Sequence, residues 1–173
     1  MKKRNLEEEF KVPGSIKEQS NYLSWILKDL EETIAFGENF IKSFPDIKLL
    51  LLEGPLGAGK TSLVKGIAKG LDIQETITSP TFPLAQHYKK GQIPLIHIDL
   101  YRLDKPQLAN ELFLQEEEEA SSSKALMVIE WPERLTLDLC EAWLAKIKPT
   151  NNARRVIQLI PPNSKDKNLS TSS

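Results

Sequence analysis

The segment from residue 50 to residue 66, LLLEGPLGAGKTSLVKG, constrains the fold more than any other part of the sequence. It fits the pattern G-x-x-x-x-G-K-S/T at Gly54, Gly59, Lys60 and Thr61, which is typical of loops that hold nucleotide phosphates. An apolar run precedes the loop and a helix-like segment follows it, so backbone N–H groups and a helix N-terminus would surround the anion. The segment therefore predicts a nucleotide-binding α/β protein.

Each part of this loop has a predicted role. Glycine allows the backbone to curl around phosphate oxygens in conformations that other residues adopt only at a cost. Lys60 would reach the β- and γ-phosphates, and the Thr61 hydroxyl would be a ligand of Mg²⁺. The predicted nucleotide contacts are Gly54, Gly57, Ala58, Gly59, Lys60, Thr61 and Ser62.

The order of apolar segments predicts a mainly parallel sheet covered by helices. A helix begins after Asp29, which can cap it, and a second helix follows the loop and stops at Gly70. Buried strands are predicted in IKLLLLEG, QIPLIHIDLYRL, ALMVIEW and RRVIQLI. We predict a domain at residues 29–160, between a flexible extension at 1–28 and a disordered tail at 161–173.

Composition limits the partners and the compartment. The net charge is −1 and the pI is about 6.2, so bulk charge does not favour direct binding to nucleic acid or an anionic membrane. The longest apolar run, LLLL at 49–52, is far too short to span a bilayer, and we expect no membrane association. A single cysteine, Cys140, forms no disulfide within the chain, which favours the cytoplasm; we expect it to be buried in a helix.

Acidic side chains end two of the predicted strands. PLIHID ends in Asp99 and LMVIE ends in Glu130. The carboxyl ends of parallel strands face one crevice, so both acids are candidates for binding Mg²⁺ or orienting water, and the sequence does not assign the two roles. His97 alternates with Asp99 and shares its face, although a structural histidine is the simpler interpretation.

Two further segments allow more than one interpretation. In SPTF, Ser79 and Thr81 either form a turn around a proline or offer a hydroxyl that senses the γ-phosphate. The acidic segment QEEEEASSSK (115–124) is interpreted as a solvated helix end followed by a flexible serine-rich loop.

The motifs narrow the class of nucleotide enzyme. The sequence has no N-K-x-D and no D-x-x-G motif, so ATP is favoured over GTP. Arg102 is the only arginine between the loop and residue 131, which weakens the interpretation as a small-molecule kinase with an arginine-rich lid. That kinase and a nucleotide-gated binding module without turnover remain as alternatives to an ATPase.

Four segments together resemble one family: GPLGAGKTSLVKGIAKGL, SPTF, HIDLYRL and VIEWPERL, in that order and at those spacings. They are similar to the bacterial TsaE family, also called YjeE, over about residues 29–160. The resemblance implies a P-loop ATPase whose parallel sheet is extended by antiparallel strands. It also implies support for the TsaB–TsaD complex, which forms N6-threonylcarbamoyladenosine at position 37 of tRNAs that read ANN codons. Contact with tRNA would be indirect, through that complex, and the complex would stimulate ATP turnover.

The resemblance also assigns residues. Lys60, Asp99 and Glu130 match the catalytic positions, with Thr61 and Glu130 on Mg²⁺. Thr81, Trp131 and a late basic residue match further motif positions; Arg154 is assigned to the last of these, with Arg155 as its competitor. The sequence departs from the family in its longer N-terminal extension and in QLANELFLQEEEEASSSK, which lacks an expected glycine.

Overall fold

Seven strands form one sheet in the computed structural model, which describes residues 22–80, 82–150 and 154–162. The strands are β1 (Leu23–Leu27), β2 (Leu49–Glu53), β3 (Ala85–Tyr88), β4 (Leu95–Asp99), β5 (Leu126–Glu130), β6 (Trp143–Pro149) and β7 (Arg155–Ile160). The helices are α1 (Leu30–Ser43), α2 (Lys60–Gly70) and α3 (Pro106–Ser123), with a short 3-10 turn at Pro132–Arg134.

The sheet has a parallel centre and antiparallel edges. Its strand order is β1-β7-β6-β2-β5-β4-β3. The pairs β2–β5, β2–β6 and β4–β5 are parallel, whereas β1–β7, β6–β7 and β3–β4 are antiparallel. The predicted mainly parallel sheet with added antiparallel strands is therefore confirmed, and β2, β4 and β5 end together at one edge.

The sheet separates two hydrophobic clusters because successive strand residues point to opposite faces. Leu50 and Leu52 belong to the cluster that also contains residues of α1 and α2. Leu49 and Leu51 pack against the other cluster, which includes Phe113 of α3. Both faces of the central strands are thus covered, which explains why these strands are short continuous apolar runs.

The first strand lies ahead of the predicted domain start at residue 29, so that boundary is corrected. Leu23, Trp25 and Leu27 alternate with more exposed residues, and β1 pairs with β7. This five-residue strand was missed because its alternation is too short to stand out beside the charged residues around it. Residues 1–21 of the predicted extension and 163–173 of the predicted tail lie outside the described residues.

Two predictions about helices were wrong. Cys140 is half-buried in a turn before β6, because the apolar residues around it pack as an irregular segment rather than as a helix. The serines at 121–123 belong to α3 instead of a flexible loop, and Lys124 ends that helix in a left-handed conformation. Glu116 of α3 is buried beside His87, with 2.7 Å between its Oε2 and the His87 Nε2.

Within the described ranges, no helix is both long and apolar enough to cross a membrane.

Glycines let α1 and α2 pack with their backbones close together. A Cβ atom on Gly37 would lie 2.5 Å from the Leu63 carbonyl oxygen, and one on Gly66 would overlap the Ile34 carbonyl oxygen. Gly70 is the last residue of α2, as predicted, and a Cβ there would overlap Ile41. The close packing fixes the position of α2, which begins directly after the glycine-rich loop.

We expect Gly66→Ala to lower the free energy of unfolding by about 1–3 kcal/mol. Alanine is the better helix former by about 1 kcal/mol, but its methyl group would meet backbone atoms of α1, which cannot move aside independently. Urea denaturation measures the change, and exposed Lys65→Ala on the same helix is the control. A Gly66→Ala chain as stable as that control would contradict the packing described.

Candidate nucleotide-binding site

The glycine-rich loop connects β2 to α2 at the edge where the parallel strands end. Gly54, Gly57 and Gly59 have positive φ angles of 156°, 76° and 105°. A side chain at Gly54 would also overlap the Ile147 carbonyl oxygen, so this turn requires glycine on two grounds. Ala58 is buried, and its N–H donates to the Pro55 carbonyl across the loop. The predicted strand–loop–helix arrangement is therefore present.

Lys60 is the first residue of α2 and is buried, with 4% of its surface exposed. Its ammonium donates to the carbonyl oxygens of Gly54 and Pro55, at 2.6 and 3.1 Å. Nζ also lies 3.9 Å from the centre of the Trp131 ring. Burial lowers the pKa of Lys60, and the negative charges of Glu130, Asp99 and Glu133 oppose that effect.

Trp131 follows β5 directly and lies beneath the ammonium of Lys60. Its backbone is left-handed, with φ 62°, and its N–H donates to the Leu52 carbonyl oxygen at 3.2 Å. The ring of Tyr101 packs against the Trp131 ring at a centroid distance of 4.8 Å. The aromatic ring of Trp131 is thus a cation–π partner of the Lys60 ammonium, which also donates to the loop carbonyls.

Asp99 and Glu130 are neighbours because their strands pair in register. They are Cα partners at the ends of β4 and β5, and both side chains are largely buried. The Thr61 hydroxyl donates to Glu130 Oε1 at 2.8 Å, joining the start of α2 to the end of β5. The structure thus brings together the loop and both predicted strand-end acids.

The two acids have different partners. The Ser79 hydroxyl donates to Asp99 Oδ2 at 2.7 Å, and the Tyr101 N–H donates to Asp99 Oδ1 at 3.0 Å. Glu130 instead contacts Thr61, the predicted metal ligand. The contact with Thr61 favours Glu130 over Asp99 as the acid nearest the metal position.

His97 is completely buried in β4, and its Nε2 lies 2.9 Å from Glu130 Oε1. The sequence pattern favours a structural histidine and does not predict this contact. Its alternation with Asp99 was the available signal, but the pairing depends on the side-chain positions of two neighbouring strands. The same holds for Ser79, whose contact with Asp99 was not predicted.

Among the arginines near the chain end, Arg155 lies against the loop. A Cβ atom on Gly59 would be 3.7 Å from Arg155 Cδ and Nε, and the Arg155 guanidinium donates to the Thr33 hydroxyl at 2.8 Å. Arg154 precedes β7 and is exposed, and its contact with the nucleotide stays a prediction, whereas Arg155, the first residue of β7, is buried. Thr81 lies outside the described residues, and Ser62 is half-buried in α2.

The donor set fits a magnesium ion that completes its shell with oxygens from the nucleotide and water. In the described part of the chain, no group of three or more His, Cys, Asp or Glu side chains could hold a metal alone. Mg²⁺ commonly takes one or two protein oxygens together with phosphate oxygens and waters. The adjacent oxygens of Thr61 and Glu130 match that preference.

A cavity of about 310 Å³ lies beside the start of the loop, on the β6 side. It is lined by Gly54, Trp131 and a pair of oppositely charged residues, Glu53 and Lys146, whose side chains are 3.1 Å apart. Glu133 and Lys148 add one further charge of each sign, so the lining does not select an anion by net charge. The cavity is an open extension of the site next to Trp131.

The glycine-rich loop at the end of a central parallel strand, followed directly by a helix, defines a P-loop NTPase fold. The crystal structure of YdiB from Bacillus subtilis is similar, with a TM-score of 0.59 and 26% identity, over 86% of this chain and 88% of that chain. A family model described as threonylcarbamoyl adenosine biosynthesis protein TsaE matches residues 27–157. The chain belongs to the TsaE family, which confirms the resemblance found in the sequence.

Relatives in two cyanobacteria agree with this membership. A Synechocystis protein is 41% identical over 118 residues, which cover 66% of this chain and 73% of the relative. A Nostoc protein is 46% identical over 110 residues, which cover 63% of this chain and 67% of the relative. Both are named tRNA threonylcarbamoyladenosine biosynthesis protein TsaE.

Proposed function

We propose that the chain is a Mg²⁺-dependent ATPase of the cytoplasm that supports a TsaB–TsaD complex. That complex would form N6-threonylcarbamoyladenosine at position 37 of tRNAs that read ANN codons. Family membership and the names of the relatives support the pathway. The hydrogen bond between Thr61 and Glu130, beside Asp99, carries the enzymatic part of the proposal, because it joins the two proposed metal ligands next to a second acid.

Each residue of the site would act on a different part of ATP. Lys60 and the N–H groups of the loop would stabilise charge that develops on the β–γ bridge and the γ-phosphate. Thr61 and Glu130 would hold Mg²⁺, which neutralises charge on the phosphate oxygens when it is bound. Asp99 would accept a hydrogen bond from the attacking water and polarise it.

Ser79 and Tyr101 support this role of Asp99. Their donors contact different oxygens of the carboxylate, which fixes its plane at the end of β4. A positioned carboxylate loses little freedom when it orients a water molecule. Asp99 is nevertheless 8% exposed, so a narrow approach to it remains.

Turnover by the chain alone would be low, and a partner would raise it. Arg155 lies beside Gly59 but donates to Thr33, so its guanidinium is already engaged inside the protein. Leu56, within the phosphate loop, is 74% exposed and offers an apolar contact at the mouth of the site. A net charge of −1 supports contact with tRNA through the partner complex rather than directly.

The proposal is tested by measuring ATP hydrolysis by the full chain with and without TsaB–TsaD, together with formation of the modified adenosine. We expect stimulation by the complex, and a loss of at least about 10-fold in Thr61→Val, which keeps the shape of threonine but lacks its hydroxyl. Thr61→Ser, which keeps the hydroxyl, is the matched control. Labelled phosphate on a metabolite would favour a kinase instead, and binding without turnover would favour a nucleotide-gated module.

A further inference from the structure

His97 occupies an unusual position for a polar side chain. Every residue of β4 is buried, and His97 lies between Ile96 and Ile98 with none of its surface exposed. An apolar side chain would fill such a place without the cost of removing an imidazole from water. The contact with Glu130 Oε1 at 2.9 Å is the feature that an apolar residue could not supply.

One oxygen of Glu130 receives two contacts. The Thr61 hydroxyl donates to Oε1 at 2.8 Å, and His97 approaches the same atom from β4. Because a carboxylate oxygen only accepts, the His97 Nε2 carries the proton of this hydrogen bond. Among the described residues, Nδ1 has no hydrogen-bond partner, so the tautomer with its single proton on Nε2 avoids a buried donor without an acceptor.

We propose that His97 is a positioning residue that holds the Glu130 carboxylate ready for a divalent cation bound with the nucleotide. This inference rests on the proposed function. Two hydrogen bonds to Oε1 fix the rotation of the carboxylate before the cation arrives, so little side-chain freedom is lost on binding. Neither contact uses the second oxygen, Oε2, which Glu130 retains for the cation.

Removal of the histidine donor is expected to weaken cation affinity by about 10- to 100-fold, the range typical of groups that orient metal ligands. Affinity for the nucleotide without metal should stay within about 2-fold, because His97 has its contact with Glu130 rather than with the phosphate loop. This separation distinguishes positioning of the ligand from a general loss of the site.

Two amide variants of the full chain form a matched pair. In His97→Gln the amide nitrogen can reach the place of Nε2, whereas the shorter side chain in His97→Asn ends near Nδ1. The probe is Mn²⁺, titrated by electron paramagnetic resonance in the presence of a non-hydrolysable ATP analogue. Binding of the analogue without metal and the melting temperature are measured in parallel.

We expect Mn²⁺ affinity close to that of the parent in His97→Gln and the stated loss in His97→Asn. Equal affinity in both variants, whether retained or lost, would overturn the inference, because the donor would then not be the deciding group. If His97→Asn fails to fold, His97→Leu replaces it in the comparison, since the neighbouring residues Ile96 and Ile98 are apolar. In a Glu130→Ala background, loss of the donor should have no further effect.

The outcomes separate this inference from the proposed function. A parent chain that binds Mn²⁺ with the analogue, while His97→Leu binds it equally well, would overturn only the positioning role. A parent chain that binds no cation with the nucleotide would overturn the proposed ATPase and the positioning role together.

Discussion

Asp99→Asn should reduce partner-stimulated ATP hydrolysis by about 10²–10⁴-fold, the usual contribution of a group that accepts a proton or orients the nucleophile. Asparagine can keep the local geometry. Its oxygen can accept from the Tyr101 N–H, and its amide can donate to the Ser79 hydroxyl in place of the present bond. The substitution therefore removes the negative charge beside Glu130 while leaving the strand end in position.

Affinity for ATP should change only a few fold in this variant, because Asp99 contacts Ser79 and Tyr101 rather than the loop. Single-turnover hydrolysis with TsaB–TsaD and a separate binding titration distinguish the two effects. Asp138→Asn removes a charge from an exposed position and is the control. Unchanged hydrolysis in Asp99→Asn would remove Asp99 from the chemistry and favour a nucleotide-gated module.

The central fold could be predicted because burial on both faces leaves a plain signal in the sequence. Strands β2, β4 and β5 are short apolar runs, and two of them end in the acids that mark the site. Strands β1, β3 and β6 were missed because buried and exposed residues are mixed along them. In β6, Lys146 and Lys148 alternate with Ala145 and Ile147, and one face of the strand carries charges instead of a second apolar layer.

The site was predictable to the extent that spacing defines it. Thr61 and Glu130 are 69 residues apart, and the rule that parallel strands end at a common edge was sufficient to bring them together. Contacts such as His97 with Glu130 depend on rotamers in two neighbouring strands, which no spacing rule provides. Which of Arg154 and Arg155 is buried depends on the register of β7, where a shift of one residue exchanges the buried and exposed faces.

Lys60→Met should weaken ATP binding by about 10- to 150-fold, which corresponds to the loss of about 1.5–3 kcal/mol for hydrogen bonds made by a charged group. Methionine has a similar length and can remain between the loop and Trp131. Binding is measured by calorimetry in the presence of Mg²⁺. Exposed Lys65→Met, on the same helix, should bind as the parent does.

Without nucleotide, Lys60→Met should have a higher free energy of unfolding than the parent at neutral pH. Burial lowers the pKa of Lys60, so protonation of this group in the folded state is less favourable than in the unfolded chain. As pH rises from the lowered pKa toward the ordinary value, the unfolded chain binds more protons than the folded one, and the parent gains free energy of unfolding. Lys60→Met lacks this gain. Its advantage over the parent at neutral pH should therefore shrink as pH rises, as measured by urea denaturation. A constant difference would show that the ammonium is not the group responsible.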